Sequence, residues 1–122
     1  MEKNNKIYVS GHKGLVGSSI IRCLEKNGYK NILKKTHSEL NLMDADAVQG
    51  FFKSERPEFV ICAAAKVGGI LANNNFPVDF LHNNLLMQSN VLFSAHKYQV
   101  KKLLFMGSAC VYPKFALQPI KE

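Results

Sequence analysis

The sequence predicts an α/β fold built on a parallel sheet with helices on both faces, and three observations predict it. A short apolar run, residues 6–10, ends at glycines spaced G-x-x-G-x-x-G, and apolar residues then recur at helical period. Strand-like and helix-like patterns alternate through the rest of the chain. The third strand pattern, Phe59-Val60-Ile61-Cys62, is continuously apolar, as expected where helices cover both faces of a sheet.

The first strand leads into Gly11-His12-Lys13-Gly14-Leu15-Val16-Gly17. Glycines at that spacing permit a tight turn, let the backbone approach a pyrophosphate, and let the helix lie close to the strand. Free N–H groups at the helix start then meet the phosphate charge. On the triplet alone, an ordinary strand-to-helix turn that happens to hold glycines stays open. A Walker-type loop is excluded, because no Gly-Lys-Ser/Thr sits where one requires it. Leu15, Val16, Ile20, Ile21 and Leu24 form the apolar stripe of the first helix, which Asn27-Gly28 closes.

A second strand is expected over residues 31–35, and its end bears on cofactor choice. An acidic residue about 20 positions past the glycines holds the ribose 2′-hydroxyl of NAD, whereas cationic residues there accommodate the 2′-phosphate of NADP. The chain offers Lys34, Lys35, Thr36 and His37, with Glu39 a few residues late. That points to NADP (NADPH), with a solvated strand end as the plainer alternative for the two lysines.

Asp44 is placed to cap a second helix over residues 45–54. Pro57 closes the link to a third strand, residues 59–65, whose small Ala63-Ala64-Ala65 tail suits either close passage of a ligand or tight helix packing. Residues 66–77, rich in glycine and asparagine, read as a long loop of the kind that often serves function. A long helix over 78–98 follows, with Phe80, Leu81, Leu85, Val91, Leu92 and Ala95 as its buried stripe. Asn83, Asn84, Ser89 and Asn90 interrupt it with polar groups that need partners if they face inward. The fourth strand, residues 102–106, ends in Gly107-Ser108-Ala109-Cys110-Val111-Tyr112-Pro113, a polar cluster at a strand's carboxyl end, where ligands of open α/β sheets bind.

Right-handed crossovers through this β-α-β-α-β-α-β order predict a Rossmann-like, doubly wound parallel sheet of four strands ordered 3-2-1-4. Such a sheet is incomplete, so the 122 residues are expected to be the N-terminal part of a longer dinucleotide-binding domain, with strand 4 as an exposed edge. With no run of 18 apolar residues and a polar start, Met1 to Lys6, the chain reads as a cytoplasmic protein without a membrane partner. Cys23, Cys62 and Cys110 form no CxxC pair, which argues against a metal site or a disulfide scaffold; two of them read as small core residues. The net charge of +7 suits an anionic ligand, but the lysines are scattered, which argues against nucleic acid.

Several of these runs together carry a resemblance. Gly11 to Gly17, Glu39-Leu40-Asn41-Leu42, Ala63-Ala64-Ala65-Lys66-Val67-Gly68-Gly69-Ile70 with Ala72-Asn73-Asn74, and Gly107-Ser108-Ala109-Cys110-Val111-Tyr112-Pro113-Lys114 resemble the GDP-L-fucose synthase family. That family lies within the extended short-chain dehydrogenase/reductase superfamily, and the match covers nearly all 122 residues.

The resemblance implies conversion of GDP-4-keto-6-deoxy-D-mannose to GDP-L-fucose with NADPH, by epimerisation of two sugar carbons and reduction of the ketone. It implies that Gly11, His12, Lys13, Gly14, Leu15, Val16 and Gly17 hold the pyrophosphate and that Lys35, where the family usually has Arg, faces the 2′-phosphate with Thr36 beside it, Lys13 sharing that role. Lys in place of Arg keeps the charge and loses the bidentate fork, which softens the NADP preference. It places Asn41 and Leu42 by the adenine, and Ala63, Ala64, Met106 and Gly107 along the dinucleotide groove. Ser108 resembles the serine that donates to the keto oxygen, and Cys110 the general acid of epimerisation. It also implies a GDP-sugar substrate and a homodimer through the long helix.

Two departures stand out. Ala109 replaces a common second serine, and residue 116 is Ala, so Tyr112 is not the tyrosine of a Tyr-x-x-x-Lys pair. Without that pair, the histidine partner of Cys110 and the substrate domain, the chain alone is expected not to turn over. Another nucleotide-sugar epimerase or dehydratase of the superfamily, and a non-catalytic dinucleotide-binding module, are the alternatives.

Overall fold

The computed structural model describes residues 1–108, 111–113 and 115–121. In chain order the elements are β1 (Ile7–Ser10), α1 (Leu15–Lys26), β2 (Ile32–Leu33), α2 (Ala45–Glu55), β3 (Phe59–Cys62), α3 (Ile70–Asn75), α4 (Pro77–Lys97) and β4 (Lys102–Phe105). All strand pairs are parallel, in the order β2-β1-β3-β4. Ser10 stands opposite Cys62, and Cys62 opposite Phe105.

The doubly wound α/β class is as the sequence predicts, and the strand order 3-2-1-4 is not. Only Ile32 and Leu33 of the second strand pair, so β2 offers almost no outer ladder on which another strand could form. The stretch between β2 and α2 turns instead, sending Leu40 and Leu42 into the core, each 7% exposed. Helix α2 then carries the chain back and delivers β3 to the free edge of β1. With right-handed crossovers, a reversal of winding direction puts α1 and α2 on opposite faces. The sheet therefore winds both ways from β1, and its switch point lies between β1 and β3.

Strand alternation divides the core accordingly. Ile7 and Val9 pack with Ile21 and Leu24 of α1 on one face. Tyr8 points to the other, among Val48, Phe51 and Phe52 of α2, Val60 and Cys62 of β3, and Val91 and Ala95 of α4. The Tyr8 ring lies 4.7 Å from Phe51 and edge-on to Phe52 at 6.1 Å. Asp44 caps α2 as expected, its carboxylate accepting the Ala47 N–H at 3.0 Å.

Several local expectations change, the first in α1, where Leu15 and Val16 of the predicted stripe are exposed and only Ile21 and Leu24 of it are buried. The stretch over 66–77 contains a short helix, α3, with Gly69 at its start and Asn73 donating to the Gly68 and Gly69 carbonyls. The predicted stripe of α4 is buried only at Val91 and Ala95, joined by Ser94, whereas Leu81, Leu85 and Leu92 are exposed. The reason is length: a helix of 21 residues runs about 31 Å, against about 13 Å for a four-residue strand, so only its second half lies over the sheet. Among the cysteines, Cys62 is a core residue and Cys23 is exposed. Strand β4, the expected open edge, pairs with β3 alone among the described residues. No helix among the described residues is long and apolar enough to cross a membrane.

Candidate functional site

A cleft of about 820 Å³ opens at the carboxyl end of β1 and β3, over the switch point. Its floor is the glycine turn. Gly11 has φ +70, and a Cβ built there would stand 2.6 Å from the Ala63 carbonyl oxygen and 2.7 Å from Ala64 N. At Gly17 a Cβ would come within 2.1 Å of the Gly11 carbonyl oxygen. Glycine at 11 thus lets the turn lie against the β3 tail, and glycine at 17 lets α1 lie against the turn. The Gly14 N–H closes the turn onto the Gly11 carbonyl at 2.9 Å. No side chain caps α1, and geometry gives its first N–H groups no carbonyl inside the helix.

The walls gather residues from five segments. Gly11, His12, Lys13, Gly14, Leu15, Val16 and Gly17 line the cleft, as do Lys35 and Thr36, Asn41 and Leu42, and Ala63 and Ala64. Lys34, one residue from Lys35, instead meets Glu25 of α1 at 3.3 Å, so only the second of the two lysines faces the cleft. Asn41 is fixed by its own turn, its side-chain oxygen accepting the Met43 N–H at 3.1 Å. Asn90 of α4 donates to the Leu42 carbonyl at 3.0 Å, tying that wall to the helix. Asn84 clamps the opposite wall, accepting the Lys66 N–H at 2.8 Å and donating to its carbonyl at 3.0 Å. These bonds give two of the interrupting asparagines of α4 their inward partners.

Of the remaining predicted site residues, Met106, Gly107 and Ser108 are not among those that line this cleft. Met106 lines a smaller recess of about 210 Å³ beside it, with Cys62, Ala63, Ala64 and Asn84. Gly107 and Ser108 follow directly at the end of β4, and the Ser108 carbonyl accepts the Val111 N–H at 3.2 Å. Cys110 and Ala109 lie outside the described residues. His37, which the sequence offers beside Lys35, lines the cleft too, as do Lys66, Asn83 and Met87, which sequence reasoning did not place there. Asn83 and Met87 are four residues apart on α4, and the polar break at Asn83 was their only signal.

Electrostatics favour an anion at one end of the cleft. Thr36 hydrogen bonds, first from its hydroxyl and then from its N–H, hold the Glu39 carboxyl below its usual range, with Lys35 and His12 adding to the effect. Burial pushes the Tyr8 hydroxyl and the Cys62 thiol up, the tyrosine also feeling Cys62, so neither is a base or nucleophile near neutral pH. The buried His12 Nδ1 has no hydrogen-bond partner among the described residues. A backbone cradle that any Cβ would fill, an uncapped helix start and that open ring nitrogen fit a phosphorylated dinucleotide.

Comparison with known proteins agrees with this geometry. Residues 7–122 match the model of the NAD dependent epimerase/dehydratase family. GDP-L-fucose synthase 1 of Arabidopsis thaliana is 56% identical over 121 residues, which are 99% of this chain and 38% of that protein. The GDP-L-fucose synthase of Escherichia coli K12 is 50% identical over 117 residues, 96% of this chain and 36% of the relative. Among solved structures, a GDP-mannoheptose C4 reductase from Campylobacter jejuni with NADP bound superposes with a TM-score of 0.95 at 42% identity, covering 99% of this chain and 38% of that one. The chain therefore spans little more than a third of the length of the curated relatives it matches.

Proposed function

The chain belongs to the NAD dependent epimerase/dehydratase family, and on that premise we propose that its cleft binds NADP(H) in the service of converting GDP-4-keto-6-deoxy-D-mannose to GDP-L-fucose. One observation carries the dinucleotide part: the Gly11 and Gly17 contacts leave a backbone-lined floor that only glycine permits. Relatives named GDP-L-fucose synthase support the choice of reaction.

In this reading the α1 amino terminus and the turn meet the pyrophosphate, Lys35 and Lys13 the 2′-phosphate, and Asn41 with Leu42 the adenine. Ala63, Ala64, Met106 and Gly107 continue the groove toward the end of β4. The bound dinucleotide would supply the hydride that reduces the ketone. Ser108 would donate a hydrogen bond to the keto oxygen, where negative charge grows as the carbonyl is attacked. Cys110 would return a proton to a sugar carbon during epimerisation. Pairing of subunits through α4 belongs to the same reading.

Binding by the purified 122-residue chain tests it. NADPH is expected to bind about tenfold or more tighter than NADH, the scale of one hydrogen bond to a charged group, and Lys35→Ala to erase most of that gap. Equal affinities would overturn the choice of NADP(H), and failure to bind either would overturn the dinucleotide reading. C4 reduction without epimerisation is a second reading, favoured by the likeness to the heptose reductase. In the full-length enzyme, deuterium uptake from solvent at the two epimerised carbons separates the two.

A further inference from the structure

Beside Lys35 the chain makes a tight turn whose key carboxylate lies outside the cleft wall. Glu39 is exposed and does not line the cleft, whereas Lys35, Thr36 and His37 do. Its Oε2 accepts the Thr36 N–H at 2.7 Å and the Thr36 hydroxyl at 2.6 Å. In return, the N–H groups of Glu39 and Leu40 donate to the Thr36 carbonyl at 3.1 and 2.9 Å. Thr36 is thus held at its N–H, its hydroxyl and its carbonyl by one turn.

We propose that Glu39 is a positioning residue that sets the preference of the cleft for a 2′-phosphorylated dinucleotide. The inference rests on the NADP(H) reading above and deepens it. A carboxylate free to rotate beside Lys35 would accept the ribose 2′-hydroxyl of NADH and repel a 2′-phosphate. With Oε2 committed to Thr36, that acceptor is withdrawn from the cleft. The same two bonds fix the backbone that carries Lys35 and His37 to the wall, so less ordering remains to be done when the phosphate arrives. Glu39 acts through Lys35 and Thr36 and touches no ligand itself.

The sign of the effect separates this role from a plain one. If Glu39 were only a negative charge near the phosphate, removing it would tighten NADPH binding; a positioning role predicts the reverse. The test is binding of NADPH, NADH, 2′,5′-ADP and 5′-AMP at fixed salt by the protein and its Glu39→Ala and Glu39→Gln variants. Glu39→Ala is expected to weaken NADPH and 2′,5′-ADP about three- to tenfold, the range of a lost hydrogen bond. NADH and 5′-AMP should not weaken, which also shows that the variants are folded. Glu39→Gln, which keeps an acceptor for Thr36, should recover most of the loss. Tighter NADPH binding by Glu39→Ala, or an unchanged ratio of NADPH to NADH in a protein that prefers NADPH, overturns the inference alone. A protein with no preference before mutation overturns the NADP(H) reading and this inference with it.

Discussion

At the amino end of the sheet, Glu58 sits just before β3 and accepts from the Asn5 side chain at 3.0 and 3.1 Å and the Lys6 N–H at 3.1 Å, while pairing with Lys101 just before β4. At the carboxyl end, the starting N–H groups of α1 meet no side-chain cap and His12 Nδ1 meets no protein partner among the described residues. Similar polar material is used in opposite ways. At one end it is satisfied within the chain and joins the starts of three strands; at the other it is held open around a cleft by glycine contacts and asparagine clamps. A polar group satisfied by its neighbours reports on folding, and one held open by rigid neighbours reports on a ligand.

The largest way to break that contrast is Gly17→Val. A side chain there meets the Gly11 carbonyl at 2.1 Å and must push α1 off the turn. The expected cost is about 3 kcal/mol or more, at or above the usual range for overpacking, read as a lower denaturation midpoint together with lost dinucleotide binding. A variant that binds NADPH normally would show that the open end does not depend on close approach of α1.

Asn84→Ala should have a smaller effect. It leaves the Lys66 N–H and carbonyl without their side-chain partner, at about 1–3 kcal/mol for part-buried groups. Faster amide exchange over residues 63–69 is the local signature expected, and an unchanged exchange pattern would argue that the wall holds itself.

The smallest effect belongs to the closed end, where the Glu58 side chain is still 32% exposed. Its carboxyl is pushed down to about 2, first by the Lys101 ammonium, then by Asn5 and the Lys6 N–H. A carboxyl depressed in the folded state adds stability above its unfolded value near 4.5, and loses it as pH falls through the folded value. The protein should therefore exceed Glu58→Gln in stability at pH 6, with the margin shrinking from about pH 4.5 and vanishing near pH 2 in unfolding titrations. Glu58→Gln should leave NADPH affinity alone. A change in that affinity would mean that the two ends are coupled.

Much of the ligand end could be read in advance. The glycine spacing, the tail Ala63-Ala64 and Lys35 all face one cleft, because strand, turn and helix follow one another along the chain and their geometry is local. The closed end could not. Glu58, Asn5 and Lys101 are separated by 43 residues or more, and nothing in their spacing marks them as partners. Nor does the polar turn at residues 36–39 distinguish a free carboxylate from one bound to Thr36.

By itself, then, the sequence determined which segments carry the strands and the longer helices and where the backbone must be bare, since periodicity, capping and glycine freedom act within a few residues. The tertiary structure alone decided that β3 lies beside β1 and that only the second half of α4 is covered. Those outcomes depend on which edge of a strand is free and how far a helix outruns the sheet beneath it. Both are properties of distant segments brought together, and no local pattern encodes them.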